Sequence, residues 1–150
     1  MNPEDVPPGA LLVDTNVVSW IALGEARSEE FRNLLAGHRT FISFVTLAEV
    51  KTLIALGVLV EPRRSALLAA LDDYTILPLE TYALVSSWVT LRSATIAGAT
   101  ADDRERHQND TWIAASALSA DPPLPLATGN LRDFQPLADV SELKLIHPDL

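Results

Sequence analysis

Four carboxylates in this chain stand where chemistry needs them, next to segments that read as strand or helix ends. Asp14 follows the apolar run "LLV", Glu49 lies in "SFVTLAE", Asp110 in "NDTWIAA", and Asp133 in "TGNLRDF", three residues after Asn130. An ionised carboxylate is costly to bury unless it has a donor, a counter-charge or a metal ion. Gathered without a cation, several carboxylates repel one another and some take up protons. With one or two divalent ions they form the hard oxygen donor set that Mg²⁺ and Mn²⁺ prefer. Such a set can activate a water and offset the charge of a phosphoryl transition state. Each residue also has a plainer reading. Asp14 and Asp110 suit helix caps, "TLAE" (46–49) matches a capping box with Thr46 as cap and Glu49 reaching back, and Asp133 suits a turn.

What must position these side chains is an alternation of strands and helices. "ALLVD" (10–14) reads as a buried strand and 15–24 as a helix closing on Gly24. A helix over 28–37 starts at Ser28 and ends at Gly37, a second strand spans 40–43, and a helix covers 45–57. Residues 61–73 read as a helix with Pro62 in its first turn. A strand over 74–79 and a long helix over 80–97 follow, and then a polar stretch over 98–109 without a clear element. A helix over 110–120 and strands over 125–128 and 142–148 complete the series. This order predicts an α/β fold, a three-layer α/β/α sandwich around a mostly parallel sheet of about five strands. Ligands of such sheets bind beyond the carboxyl ends of the strands, and the four acids fall there.

Composition narrows the function classes. With no cysteine, disulfides, thiolate metal sites and Cys nucleophiles are excluded, which fits the cytoplasm. A net charge of −9 argues against a general nucleic-acid coat protein but not against an enzyme that holds cations in an acidic pocket. The start "MNPEDVPPGA" does not read as a signal peptide, and no apolar run suits a membrane helix. Residues 1–9 are expected to be a flexible lead-in and 10–150 a single domain.

In order, "LLVDTNVV", "ISFVTLAEV", "NDTWIAASAL" and "LATGNLRDF" resemble the motif series of the PIN domain family, and within it VapC-type toxin ribonucleases of toxin–antitoxin pairs. The resemblance runs from about residue 11 to residue 147. It implies a PIN-like endoribonuclease dependent on Mg²⁺ or Mn²⁺, with Asp14, Glu49 and Asp110 as metal ligands. It implies Asp133 as the fourth, with Asn130 as a neutral oxygen ligand or water-positioning group. Thr15 and Thr46 are implied to hold the attacking water or the phosphate. The likeness departs at Gly129, where many relatives carry an arginine, and this implies an altered grip on substrate. Implied partners are RNA, a second copy of the chain and a small antitoxin, with the amphipathic helices around 45–57 and 61–71 as the apolar surface.

Other readings are weaker. A phosphatase with Asp14 as nucleophile wants a second acid two residues on, and Asn16 stands there. A PIN-like RNA-processing nuclease outside a toxin pair, or a domain that binds RNA or protein without cutting, keeps the same fold. Arg104, Arg106 and His107 are placed to meet RNA phosphates or to form a solvated loop. His38 and His147 are expected to be structural or exposed, and the three histidines show no metal-ligand spacing.

Overall fold

The computed structural model describes residues 9–97 and 99–150; the side chains of Arg104 and Arg106 also lie outside the described set. Most of the lead-in expected over 1–9 therefore falls outside the described residues. Five strands form one sheet in the order β3-β2-β1-β4-β5, and every pairing is parallel. They are β1 (Ala10–Val13), β2 (Arg39–Ile42), β3 (Thr75–Ile76), β4 (Leu126–Ala127) and β5 (Leu145–Ile146).

Strand alternation sends Leu12, Leu126 and Leu145 to one face of the sheet, and Leu11, Val13, Ala127 and Ile146 to the other. The first face is covered by α5 (Thr81–Thr95), α7 (Gln108–Ser119) and α8 (Leu131–Asp139), which contribute Leu84, Leu91, Ile113, Phe134 and Leu137. The second is covered by α1 (Thr15–Leu23) and α2 (Ser28–Leu35), through Val17, Val18, Phe31 and Leu34. Two further helices, α3 (Phe44–Ala55) and α4 (Arg63–Ala70), pack along α1, and a short α6 (Ala101–Arg106) precedes α7. The expected parallel α/β architecture is what the chain adopts.

Local punctuation differs in instructive places. Gly24 does close α1, in the left-handed conformation that spares a side chain at that position (φ 65°). Ser28 does open α2, after Arg27 at φ 73° with no side-chain cap, but the helix ends at Leu35, short of Gly37. The capping box at 46–49 does not form. Ser43 caps α3 by accepting from the Thr46 N–H at 3.2 Å, which leaves Thr46 buried inside the helix and frees Glu49 for other partners. Pro62 occupies the cap position of α4 rather than its first turn, and a turn of 3-10 helix over Leu71–Asp73 ends that segment. The third strand shrinks to two residues. The polar stretch contains α6, capped by Thr100, and α8 appears where no helix was expected.

Candidate metal centre and active site

One residue past the ends of the strands, the register sets Asp14 beside Ser43 on one side and Thr128 on the other, with His147 next in the row. The backbone carries this on: the Asp14 N–H donates to Ala127 O at 2.9 Å, and the Thr128 N–H to Ile146 O at 3.2 Å. All four side chains are buried, so the carboxyl edge of the sheet ends in a polar row. Order reverses between β1 and β4, the switch point where open parallel sheets bind ligands.

Asp14 is 3 % exposed. Its Oδ1 accepts from the Thr15 N–H at 2.7 Å, so it does cap α1, and its Oδ2 accepts from Thr128 Oγ1 at 2.9 Å. Capping and cluster membership coexist in this residue. Burial pushes its carboxyl up to about 7, helped by the nearby charges of Asp110 and Glu49 and opposed by the two hydrogen bonds.

Glu49 is held from the opposite side. Its Oε1 accepts from Thr15 Oγ1 at 2.8 Å, and Thr15 Oγ1 lies 3.0 Å from Thr46 Oγ1. A carboxylate only accepts, so the single Thr15 proton goes to Glu49 and Thr46 must donate to Thr15. Ser43 Oγ, 3.5 Å from Thr46 Oγ1, completes a line of hydroxyls ending on Glu49. In this structure Thr15 and Thr46 orient a carboxylate.

Asp110 lies in the first turn of α7, because that helix begins at Gln108 rather than at Asp110 itself. Burial raises its carboxyl to about 6, with the charges of Asp133 and Glu49 adding and His107 opposing. Asp133 occupies the first turn of α8, whose cap is Asn130. The Asn130 amide donates to Asp133 Oδ2 at 2.7 Å, and the Asn130 N–H donates to Thr128 Oγ1 at 3.0 Å. Asn130 thus fixes Asp133 and links it through Thr128 to Asp14.

The four acids feel one another electrostatically: Asp14 senses Asp110 and Glu49, and Asp110 senses Asp133 and Glu49. Like charges held together at raised pKa call for a cation, and the oxygen-rich donor set fits a divalent ion. The sequence reading set His107 against RNA phosphates and did not foresee its place in this cluster. His107 Nδ1, Asp110 and Asp133 offer ligand atoms within 4.8 Å of one another, although histidine spacing along the chain gave no sign of it. Beside them opens a cavity of about 370 Å³ lined by His107, Arg132, Asp133, Arg92, Pro136 and Leu137, among others.

Residues 11–132 match the family model of the PIN domain. The chain belongs to the PIN domain family. No curated protein matches it in sequence. Among solved structures it is similar to a chain of VapBC-5, a toxin–antitoxin system from Mycobacterium tuberculosis, with 28 % identity and a TM-score of 0.67 over 94 % of this chain and 99 % of that one. Chains of VapBC2 from Rickettsia felis, solved bound to a promoter DNA fragment, and of FitAcB from Neisseria gonorrhoeae share the fold. Their identities are 22 % and 19 % and their TM-scores 0.66 and 0.62; they cover 91 % and 92 % of this chain and 97 % of each of those chains. This PIN domain carries an acidic and histidine cluster consistent with a PIN metal site. Among its described residues, no helix is long and apolar enough to cross a membrane.

Proposed function

We propose that this PIN domain, a single nuclease unit over 10–150, is a metal-dependent endoribonuclease and the toxin of a type II toxin–antitoxin pair. One observation carries the reading. Asp14, Glu49, Asp110 and Asp133 arrive from four separate elements at the sheet's switch point, and burial holds two of them at raised pKa. Carboxyls perturbed by burial and by one another mark a candidate working site, and PIN domains are typically metal-dependent nucleases.

Asp14, Glu49, Asp110 and Asp133 would hold Mg²⁺ or Mn²⁺. A bound ion supplies Lewis-acid activation of water and charge stabilisation at phosphorus. The chain supplies the geometry. Thr15 N–H and Thr128 Oγ1 fix both oxygens of Asp14, the hydroxyl line fixes Glu49, and Asn130 fixes Asp133. The first turns of α1, α7 and α8 all face this edge, and helix N-termini favour the anionic groups gathered there. Arg132, exposed at the cavity rim, is placed to meet a phosphate of the RNA strand, and the cavity gives room for a nucleotide beside the cut. Attack by water rather than by a ribose hydroxyl leaves a 5′-phosphate and a 3′-hydroxyl.

Partners are supported by exposed apolar surface. Leu56, Val58, Val60 and Leu68 lie exposed around the end of α3 and on α4, and Tyr82, Val85 and Val89 form a stripe on α5. These two surfaces suit a second copy and an antitoxin, and we place the pair in the cytoplasm. The test is cleavage of single-stranded RNA in Mg²⁺, in Mn²⁺ and in chelator. Asp14→Asn and Asp110→Asn proteins should stay folded and lose cleavage by several orders of magnitude. Cleavage undiminished in chelator would overturn the metal mechanism, and a neighbouring reading frame that inhibits the enzyme on co-expression would support the toxin assignment.

A further inference from the structure

His107 stands immediately before α7, and its ring makes no capping hydrogen bond. Its Nδ1 is buried and has no hydrogen-bond partner. The nearest acceptors are Asp110 Oδ2 at 3.8 Å and Asp133 Oδ1 at 4.0 Å. Both separations are too long for a hydrogen bond. Both fall between the separations of adjacent and of opposite donors on one ion, so a shift of under about 1 Å at one carboxylate brings all three groups onto a shared ion. With metal–ligand distances of about 2.1 Å, two donors on one octahedral ion stand about 3 Å apart when adjacent and about 4.2 Å apart when opposite. A buried ring nitrogen without a hydrogen bond, facing two carboxylates carried by separate helices, is placed to donate to an ion held there.

We propose that Nδ1 of His107 ligates the divalent ion beside Asp110 and Asp133, and that this nitrogen biases the site toward a first-row transition ion such as Mn²⁺ over Mg²⁺. The inference rests on the metal-centre reading above and goes beyond it in naming a nitrogen ligand and a preference. Mg²⁺ takes oxygen donors and gives up its waters reluctantly, whereas imidazole nitrogen raises affinity for first-row transition ions. Coordination through Nδ1 places the ring proton on Nε2. The competing role is a protonated His107 that merely offsets the two carboxylates, and it forbids a metal–nitrogen bond.

Pulsed electron paramagnetic resonance on the protein loaded with MnCl₂ separates the two. Nitrogen modulation from a directly bound imidazole is expected, changing to the ¹⁵N pattern when histidine is ¹⁵N-labelled. It should vanish in His107→Ala, with Mn²⁺ affinity by calorimetry falling about 10- to 100-fold and Mg²⁺ affinity falling far less. The variant should keep its fold, because Thr111 N–H and Oγ1 bond to the backbone carbonyl of residue 107 and not to the ring. Bound Mn²⁺ without nitrogen coupling, coupling that survives in His107→Ala, or no saturable Mn²⁺ binding would each overturn the proposal. RNA cleavage on the same samples keeps the two readings apart. An all-oxygen Mn²⁺ site in a protein that cuts RNA removes this inference alone, and a nitrogen-bound Mn²⁺ in a protein that cuts no RNA removes the nuclease reading alone.

Discussion

Thr128 Oγ1 donates to Asp14 Oδ2 at 2.9 Å and accepts the Asn130 N–H at 3.0 Å. One buried hydroxyl therefore ties the carboxylate of the first strand to the loop that carries Asn130 and Asp133. Thr128→Val keeps the shape of the side chain but leaves a buried carboxylate oxygen and an N–H without this partner. Unfolding free energy in urea should fall by about 1–3 kcal/mol, and divalent-ion affinity by about tenfold, as for other losses of an orienting partner. An unchanged metal titration would mean that Thr15 N–H alone holds Asp14.

Raised carboxyl pKa values make a signed prediction for the metal-free protein. Asp14 stands at about 7 and Asp110 at about 6, against an ordinary 3.8 for each, both chiefly because of burial. Between about pH 4 and 7 the folded chain binds more protons than the unfolded one, so stability falls as pH rises through this window. For Asp14 the loss is on the order of 4 kcal/mol. His147, buried and lowered below its ordinary 6.5 chiefly by desolvation, works in the opposite direction at the acid end. Urea midpoints from pH 4 to 8 should therefore be compared in chelator and in saturating Mg²⁺, since His147 enters both series alike. The fall should be steeper in chelator, because the ion binds only deprotonated carboxylates. Parallel series would show that the two acids titrate normally.

The hydroxyl line through Ser43, Thr46 and Thr15 ends on Glu49. Thr46→Val removes its middle member at a fully buried position. We expect a loss of about 1–3 kcal/mol in unfolding free energy and roughly tenfold weaker Mn²⁺ binding, both restored by Thr46→Ser. If Thr46→Ser behaves like Thr46→Val, the methyl group matters and the hydroxyl does not.

How much of this was legible beforehand follows from what each signal depends on. Asp14, Glu49, Asp110 and Asp133 could be singled out because each follows a local pattern, an apolar run or a helix start, and a parallel sheet sends such positions to one edge. Helix α8 was missed because Pro136 lies inside it, a residue that removes a helical hydrogen bond and argues against the element. Burial of Phe134 and Leu137 in the core overrides that local preference. The supposed capping box at Thr46 failed for a related reason. A serine three residues earlier, next to Asp14 in the sheet register, competed for the same N–H. His107 was read as a phosphate contact or loop residue, and its place in the cluster was hidden for another reason: Asp133 is 26 positions away on an unforeseen helix, so no spacing rule connects them.

Gly129 lies between Thr128 and Asn130, and a Cβ built on it would overlap the Trp20 ring of α1 at Cζ3 and Cη2. That ring is held in turn against Phe31, centroid to centroid 5.7 Å. The absence of a side chain at 129, which read in the sequence as a lost substrate contact, is thus a packing requirement set by Trp20. Gly129→Ala should cost about 1–3 kcal/mol by overpacking and shift tryptophan fluorescence. It should also lower kcat for RNA cleavage, because the displaced loop carries the donor to Asp14 and the partner of Asp133. Trp20→Ala opens the space, so in that background Gly129→Ala should be far milder. A double-mutant cycle on unfolding free energies should give a coupling of about 0.5–3 kcal/mol. Gly129→Arg should likewise fold better with Trp20→Ala than without it. Additive effects of the two substitutions would mean that the loop, not the indole, limits what residue 129 can be.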